Sequence, residues 1–270
     1  MAEEIPFIEL SDITFSYPEA ETPVFSGFSG NLPGGFVSLA GPNGIGKSTL
    51  MLLAAGRLLP QKGRVRLLGK DTADFADEEE RNRFASFVYQ NMEFETPEPL
   101  EAVLSQVYSG GFHEKKSDQF YKDVLRTFGL TDLAGRSLSK LSKGEMQRTL
   151  LAFSVLYGSR SIFMDEPVFA LEDKQKEEAL EFFRGYSREN RVTVYVSLHE
   201  LDLTKKYAET VLLFHRGHTI DVGSPAEILT SEALEKAYGV PAAMLRQKEY
   251  LDRKKLEEES DLLKNRGDSE

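Results

Sequence analysis

The segment Gly41-Pro42-Asn43-Gly44-Ile45-Gly46-Lys47-Ser48 decides how the rest of the chain is read. It fits the pattern G-x-x-x-x-G-K-[ST], follows a short apolar run at 36–40, and opens a stretch at 48–59 whose helical periodicity stops at Pro60. Each residue type has a reason to be there. Glycines let successive backbone N–H groups curl around a polyanion, and the helix that follows turns its positive end to the same point. A lysine at position 47 reaches terminal phosphates, and the Ser48 hydroxyl suits Mg²⁺. The expectation is a phosphate cradle on an α/β fold, with Gly41, Asn43, Gly44, Gly46, Lys47, Ser48 and Thr49 gathered around the bound group.

A second half of the same chemistry lies downstream. Phe163-Met164-Asp165-Glu166-Pro167 ends an apolar run that begins at Ile162. Beside a phosphate cradle, an acid at such a strand tip holds Mg²⁺, a role that falls to Asp165. Glu166 is then placed to polarise an attacking water as general base, provided its pKa stays near or below the working pH. Two acids before a proline turn can also simply mark a strand end; the upstream loop favours the chemical reading.

Composition sets the limits. The chain has 270 residues, 40% hydrophobic and 29% charged, which suits a globular protein with a real core. A net charge of -11 disfavours a nucleic-acid binder, whose affinity rests on Lys and Arg against phosphates, yet leaves room for a nucleotide held by a few local donors. With no cysteine there are no disulfides and no Cys-ligated metals. The acidic start at 1–6 is unlike a signal peptide. The longest uncharged apolar stretch, 149–159, is far below the roughly 18–20 residues needed to span a bilayer, so any membrane role comes through a partner.

Strands are expected at 8–17 and 24–32, with Pro18 and Pro23 bounding the turn between them, and at 36–40, 65–68 and 84–89. From 96 to 156 helical patterns take over, separated by Gly110-Gly111, Gly129 and Gly135. A buried strand at 161–164, a helix at 174–187, a strand at 192–197 and a strand pair at 210–214 and 218–222 follow. The picture is a helical insert between two α/β blocks, with a mainly parallel sheet at the centre. The main domain is read as 1–244. The charged tail at 245–270 keeps no leucine heptad and reads as a solvated helix fraying into disorder.

Leu141-Ser142-Lys143-Gly144-Glu145-Met146-Gln147-Arg148 then resembles the signature sequence of ABC transporter ATPase subunits, and it precedes the Asp165-Glu166 strand by a short helix. Ser142 and Glu145 form an S-x-x-E capping box, while Gly144 leaves backbone room for a ligand. The resemblance covers roughly residues 5 to 240 and implies a P-loop NTPase of the ABC ATPase type, with an N-terminal antiparallel β part and a helical subdomain. It also implies ATP and Mg²⁺ as ligands. Its partners would be a second ATPase subunit, read as an identical copy, and integral membrane permease subunits that hold it on the inner face of the cell membrane. Carried over by position, Tyr17 stacks on adenine. Gln90 touches Mg²⁺ or the water and senses the membrane partner, and His199 contacts the γ-phosphate. Ser142 and Gly144 face the nucleotide of the other copy, and Ala170-Leu171-Glu172 crosses the interface. Lys47, Gln90, Glu166 and His199 form the expected catalytic set.

Departures cluster at that interface: Lys143 stands where the signature has its first glycine, Glu145 where it has glutamine, and Glu172 where an aspartate is usual. Val168-Phe169 replaces small polar residues. His199 to Leu203, Tyr207-Ala208-Glu209, Gly223-Ser224-Pro225 and above all Ala237-Tyr238-Gly239-Val240 resemble the ATPases of iron-siderophore, haem and cobalamin importers. The alternatives are another kind of importer, an exporter, a non-transport cytosolic ABC ATPase acting as an assembly or regulatory factor, and a soluble phosphotransferase, against which the signature sequence speaks.

Overall fold

A computed structural model describes residues 7–90, 92, 96–217, 219–241 and 243–245. In chain order the elements are β1 (Ile8–Phe15), β2 (Phe25–Leu32), β3 (Phe36–Ala40), α1 (Lys47–Ala54), β4 (Lys62–Leu67), β5 (Lys70–Asp71), α2 (Glu78–Phe84) and β6 (Ser86–Val88). Then come α3 (Leu100–Gly110), α4 (Asp118–Thr127), α5 (Lys143–Tyr157), β7 (Ser161–Asp165), α6 (Asp173–Asn190) and β8 (Thr193–Ser197). The chain continues with α7 (Leu201–Tyr207), β9 (Thr210–His215), β10 (Thr219–Gly223), α8 (Pro225–Ile228) and α9 (Ser231–Tyr238).

Strands β3, β7 and β8 are almost unbroken apolar runs because both of their faces are covered, as parallel sheets require. They form the middle of a six-stranded sheet of order β10-β9-β3-β8-β7-β6, in which only the β9–β10 edge pair is antiparallel. A separate antiparallel sheet has the order β2-β1-β4-β5. Side chains alternate across each strand, so neighbours in sequence enter different cores. Phe36, Ile162, Met164, Val194 and Val196 pack against Leu104, Val124, Leu151 and Phe183 of α3, α4, α5 and α6. Val37, Leu39, Phe163 and Tyr195 face the other way, onto Leu50 and Leu53 of α1 and Ile8, Ile13 and Val65 of the antiparallel sheet. Each such side chain contributes about 1.5–3 kcal/mol when fully buried, so the sheet is fixed from both sides.

The antiparallel part follows the alternation rule with one adjustment. Ile8, Leu10, Ile13 and Phe15 point inward, and a register shift between Leu10 and Ile13 carries Asp12, at φ 51°, out to solvent. Without the extra residue every later apolar side chain would face water.

Two expectations are corrected, and one helix is added. The helix expected at 48–59 ends at Ala54, because Gly56 turns left-handed (φ 65°) and its N–H bonds Leu53 O at 3.1 Å. Leu58 then packs on the second core instead of extending the helix. Within the strand expected at 84–89, only Ser86–Val88 pairs, and Phe84 closes α2. That helix was missed although Asp77 caps it, accepting from Glu80 N at 2.8 Å. Of the charged tail, 246–270 lies outside the described residues, as do 1–6 and His218 of the expected strand 218–222.

Candidate active site

Strands β3, β6, β7 and β8 run parallel, so the loops after them emerge along one edge, where open α/β sheets place their ligands. After β3 comes the glycine loop. Gly41 (φ 140°) lies so close to β9 that a Cβ on it would sit 2.9 Å from Phe214 Cβ and O. Gly46 (φ 112°) caps α1, and a Cβ there would meet Val24 Cγ1 at 2.9 Å. Both need glycine for backbone angle and for space. Asn43 and Gly44 form the exposed tip between them.

Lys47 is only 8% exposed, and its Nζ donates to Gly41 O at 2.8 Å and Pro42 O at 2.9 Å. Burial lowers its pKa, while the nearby Asp165 and Glu166 carboxylates work against that shift. The ammonium is thus held inside the loop by neutral carbonyls, acceptors weaker than a phosphate. Ser48 is half-buried beside it. Thr49 is buried, and its Oγ1 lies 3.1 Å from the Tyr17 hydroxyl. The Tyr17 ring stands edge-on to Phe15 (centroids 5.1 Å, 87°) and stays 41% exposed, leaving its surface available beside the loop.

The acidic half converges on one carboxylate. Asp165 ends β7, and Glu166 follows in the left-handed region at φ 51°, its N–H bonded to Ser197 O of β8 at 3.2 Å. A non-glycine residue there costs on the order of 1–3 kcal/mol, and such strain persists only where the surroundings enforce it. Gln90 Nε2 donates to Glu166 Oε2 at 2.7 Å. His199 Nε2 bonds Glu166 Oε1; a carboxylate only accepts, so this nitrogen carries the proton. Gln90, Glu166 and His199 lie 76 and 33 residues apart in sequence, and the parallel register of β6, β7 and β8 brings them together.

Ser142 caps α5 as expected: its Oγ accepts from Glu145 N at 3.3 Å, and Glu145 Oε2 accepts from Ser142 N at 2.8 Å. That backbone bond chiefly holds the Glu145 pKa below the ordinary glutamate range, helped by the Ser142 side chain, Arg136 and Arg148. Among the described residues no hydrogen bond or ion pair joins 142–144 to 41–49 of the same chain. Gly144 has a local packing reason, since a Cβ on it would lie 3.1 Å from Ala170 O in the loop after Glu166. One contributor went unread in sequence: buried Lys176 of α6 bonds Glu200 at 2.7 Å and Asp173 at 3.5 Å, fixing the residue next to His199. A lysine on a charged helix carries no sequence signal of such a tie.

This edge and this strand order define the P-loop class of nucleoside-triphosphatases. Residues 26–169 match the family model described as ABC transporter. The manganese transport system ATP-binding protein MntB of Bacillus subtilis (strain 168) is 33% identical over 249 residues, covering 89% of this chain and 96% of the relative. The hemin import ATP-binding protein HmuV of Escherichia coli O157:H7 is 31% identical over 224 residues, covering 79% of this chain and 86% of the relative. In fold the chain is similar to the ATP-binding cassette MJ0796, solved as a dimer in a post-hydrolysis state with ADP and Pi (TM-score 0.68, 24% identity, 81% of this chain and 98% of that one). The chain belongs to the ABC transporter family, as one of its ATP-hydrolysing subunits.

Proposed function

We propose that the chain energises import of a metal chelate such as an iron-siderophore, haem or cobalamin. It works as a pair of identical copies docked on integral membrane permease subunits at the inner face of the cell membrane. Among the described residues no helix is long and apolar enough to cross a membrane, which is consistent with the permease supplying the spans. Among the relatives named above, the hemin import ATP-binding protein HmuV supports the solute class.

The observation that carries the chemistry is the Glu166 carboxylate, oriented by Gln90 and His199 at the edge that also holds Lys47. ATP lies with its phosphates against the amides of residues 43–48 and its base on Tyr17. Lys47 leaves the carbonyls of Gly41 and Pro42 for the β- and γ-phosphates, exchanging neutral acceptors for charged ones. Ser48, Asp165 and Gln90 offer oxygen donors suited to Mg²⁺. No cluster of three His, Cys, Asp or Glu side chains among the described residues could hold a metal, so this donor set fits an ion that arrives with the phosphates and keeps several waters. Bound there, Mg²⁺ supplies charge neutralisation at the phosphates. Glu166 then accepts a proton from the attacking water, and His199 turns its Nε2–H toward the γ-phosphate. Ser142 and Gly144 of a second copy close the site from the far side. Hydrolysis adds charge between the copies, they part, and the motion reaches the permease through Gln90 and the helices that follow.

The test is to purify the tagged full-length chain from detergent-solubilised membranes and assay ATP hydrolysis. Co-purification of an integral membrane protein whose presence stimulates hydrolysis is expected. A chain that hydrolyses ATP but comes down only with soluble proteins would favour the assembly or regulatory reading, for which the interface departures Lys143 and Glu172 are the motive.

A further inference from the structure

Helix α9 reaches back to the first residue of the phosphate loop. Helix α9 is capped by Thr230, whose Oγ1 accepts from Ala233 N at 3.2 Å, and Ala237 is buried in a third cluster with Ala40 of β3 and Leu213 of β9. One residue on, the Tyr238 hydroxyl accepts a hydrogen bond from Gly41 N at 3.0 Å. The carbonyl of that same Gly41 accepts from Lys47 Nζ at 2.8 Å. Gly41 is therefore held on three sides: by Phe214, which leaves no space for a Cβ, by Tyr238 at its N–H, and by Lys47 at its carbonyl.

The tyrosine is itself anchored. Arg216, just past β9, donates from Nη2 to Tyr238 O at 3.3 Å. Gly239 ends the helix left-handed at φ 71°, where a Cβ would lie 3.1–3.3 Å from the Arg216 guanidinium. The side chain that fixes the loop entrance thus depends on a helix terminus that glycine and arginine hold together.

We propose that Tyr238 is a positioning residue of the nucleotide site. Its hydroxyl pins the backbone at Gly41, the fixed end from which amides 43–48 fan out toward the phosphates, and so makes α9 part of the ATP-binding apparatus. This rests on the reading that the loop binds ATP. Gly41 N–H is not among the amides assigned to the phosphates, so the tyrosine competes with no ligand and stays in place when ATP binds. It acts on how the loop is presented and leaves Glu166, His199 and Gln90 untouched.

The test is Tyr238→Phe in the full-length chain, which keeps the ring and removes only the acceptor oxygen. Without the hydroxyl the loop entrance loses its fixed geometry in the free chain and ATP binding has to restore it, which predicts an ATP dissociation constant and KM raised about three- to tenfold, kcat within about twofold of the parent, and a modestly lowered melting temperature. Arg216→Ala, which releases the same helix end from its carbonyl side, should raise KM in the same direction by less. A Tyr238→Phe protein with the parent's KM overturns the proposal. So does one in which KM stays fixed while kcat and folded fraction drop together, since that is the mark of a merely structural residue. If the parent itself bound no Mg·ATP, the ATPase reading would fall first; a parent that binds beside an equally tight Tyr238→Phe strikes only the tyrosine.

Discussion

Glu166 shows how a single position trades stability for chemistry. Its φ of 51° turns the carboxylate off the end of β7 and toward Gln90 and His199, an angle that a β-carbon tolerates poorly. Removing the side chain in two ways separates the strain from the contacts. Glu166→Ala and Glu166→Gly both abolish the bonds to Gln90 and His199, and they differ only in the Cβ. Glu166→Gly should therefore be more stable than Glu166→Ala by about 1 kcal/mol in urea denaturation, although glycine usually destabilises relative to alanine. The opposite order would mean that the left-handed turn is not populated in solution. With Glu166 as the proposed base, both variants should lose hydrolysis, because among the described residues no other carboxylate bonds both Gln90 and His199.

At the scale of the element, the start of α5 makes a pH-dependent contribution. Glu145 has its pKa held down by the Ser142 backbone N–H above all, so in the folded chain it stays ionised to lower pH than in the unfolded one. The stability it adds is complete above the ordinary glutamate range and is lost as pH falls through the depressed value. Glu145→Gln should thus be less stable than the parent near neutrality, and the two should converge in acid, as measured by denaturation midpoints across a pH series. A gap that stayed constant with pH would show that the carboxylate charge contributes nothing at this cap. The cap was legible in the sequence because S-x-x-E is a local pattern with a local cause, and the same holds for the glycine loop and for the apolar runs of β3, β7 and β8. The length of α1 was less legible, since Gly56 stops that helix through a left-handed turn while Pro60, the more visible signal, lies beyond it. Helix α2 was overlooked because its acidic first turn offers no apolar stripe, although Asp77 and Glu80 announce a capped start. The ties of Lys176 to Glu200 and of Tyr238 to Gly41 had no signal at all, because each joins segments that only the sheet register brings together.

For the molecule as a whole, the proposed pairing of copies sets local attraction against global repulsion. Each chain carries a net charge of -11, so two copies repel at long range, while the Ser142 cap and its helix terminus would attract the phosphates held by the other copy at close range. Mobile salt screens the first effect over about 8–10 Å and touches the second much less. Glu166→Gln keeps the size of the side chain, removes the proposed base and so should leave the nucleotide uncleaved between the proposed pair of copies. In sedimentation velocity this variant should run as a monomer without nucleotide and as a dimer with Mg·ATP. The dimer should tighten as monovalent salt rises from about 10 mM to about 150 mM, the range over which the Debye length shrinks from about 30 to about 8 Å. Adding Ser142→Ala to the same chain should shift the equilibrium back toward monomer while the ATP affinity of each copy stays as it was, because in the proposed pairing the serine serves the other copy's nucleotide and not its own. A Glu166→Gln protein that stayed monomeric with saturating Mg·ATP would refute closure of two copies around the triphosphate. A dimer that weakened across that salt range would instead place the pairing energy in exposed charge contacts and not in the buried phosphate.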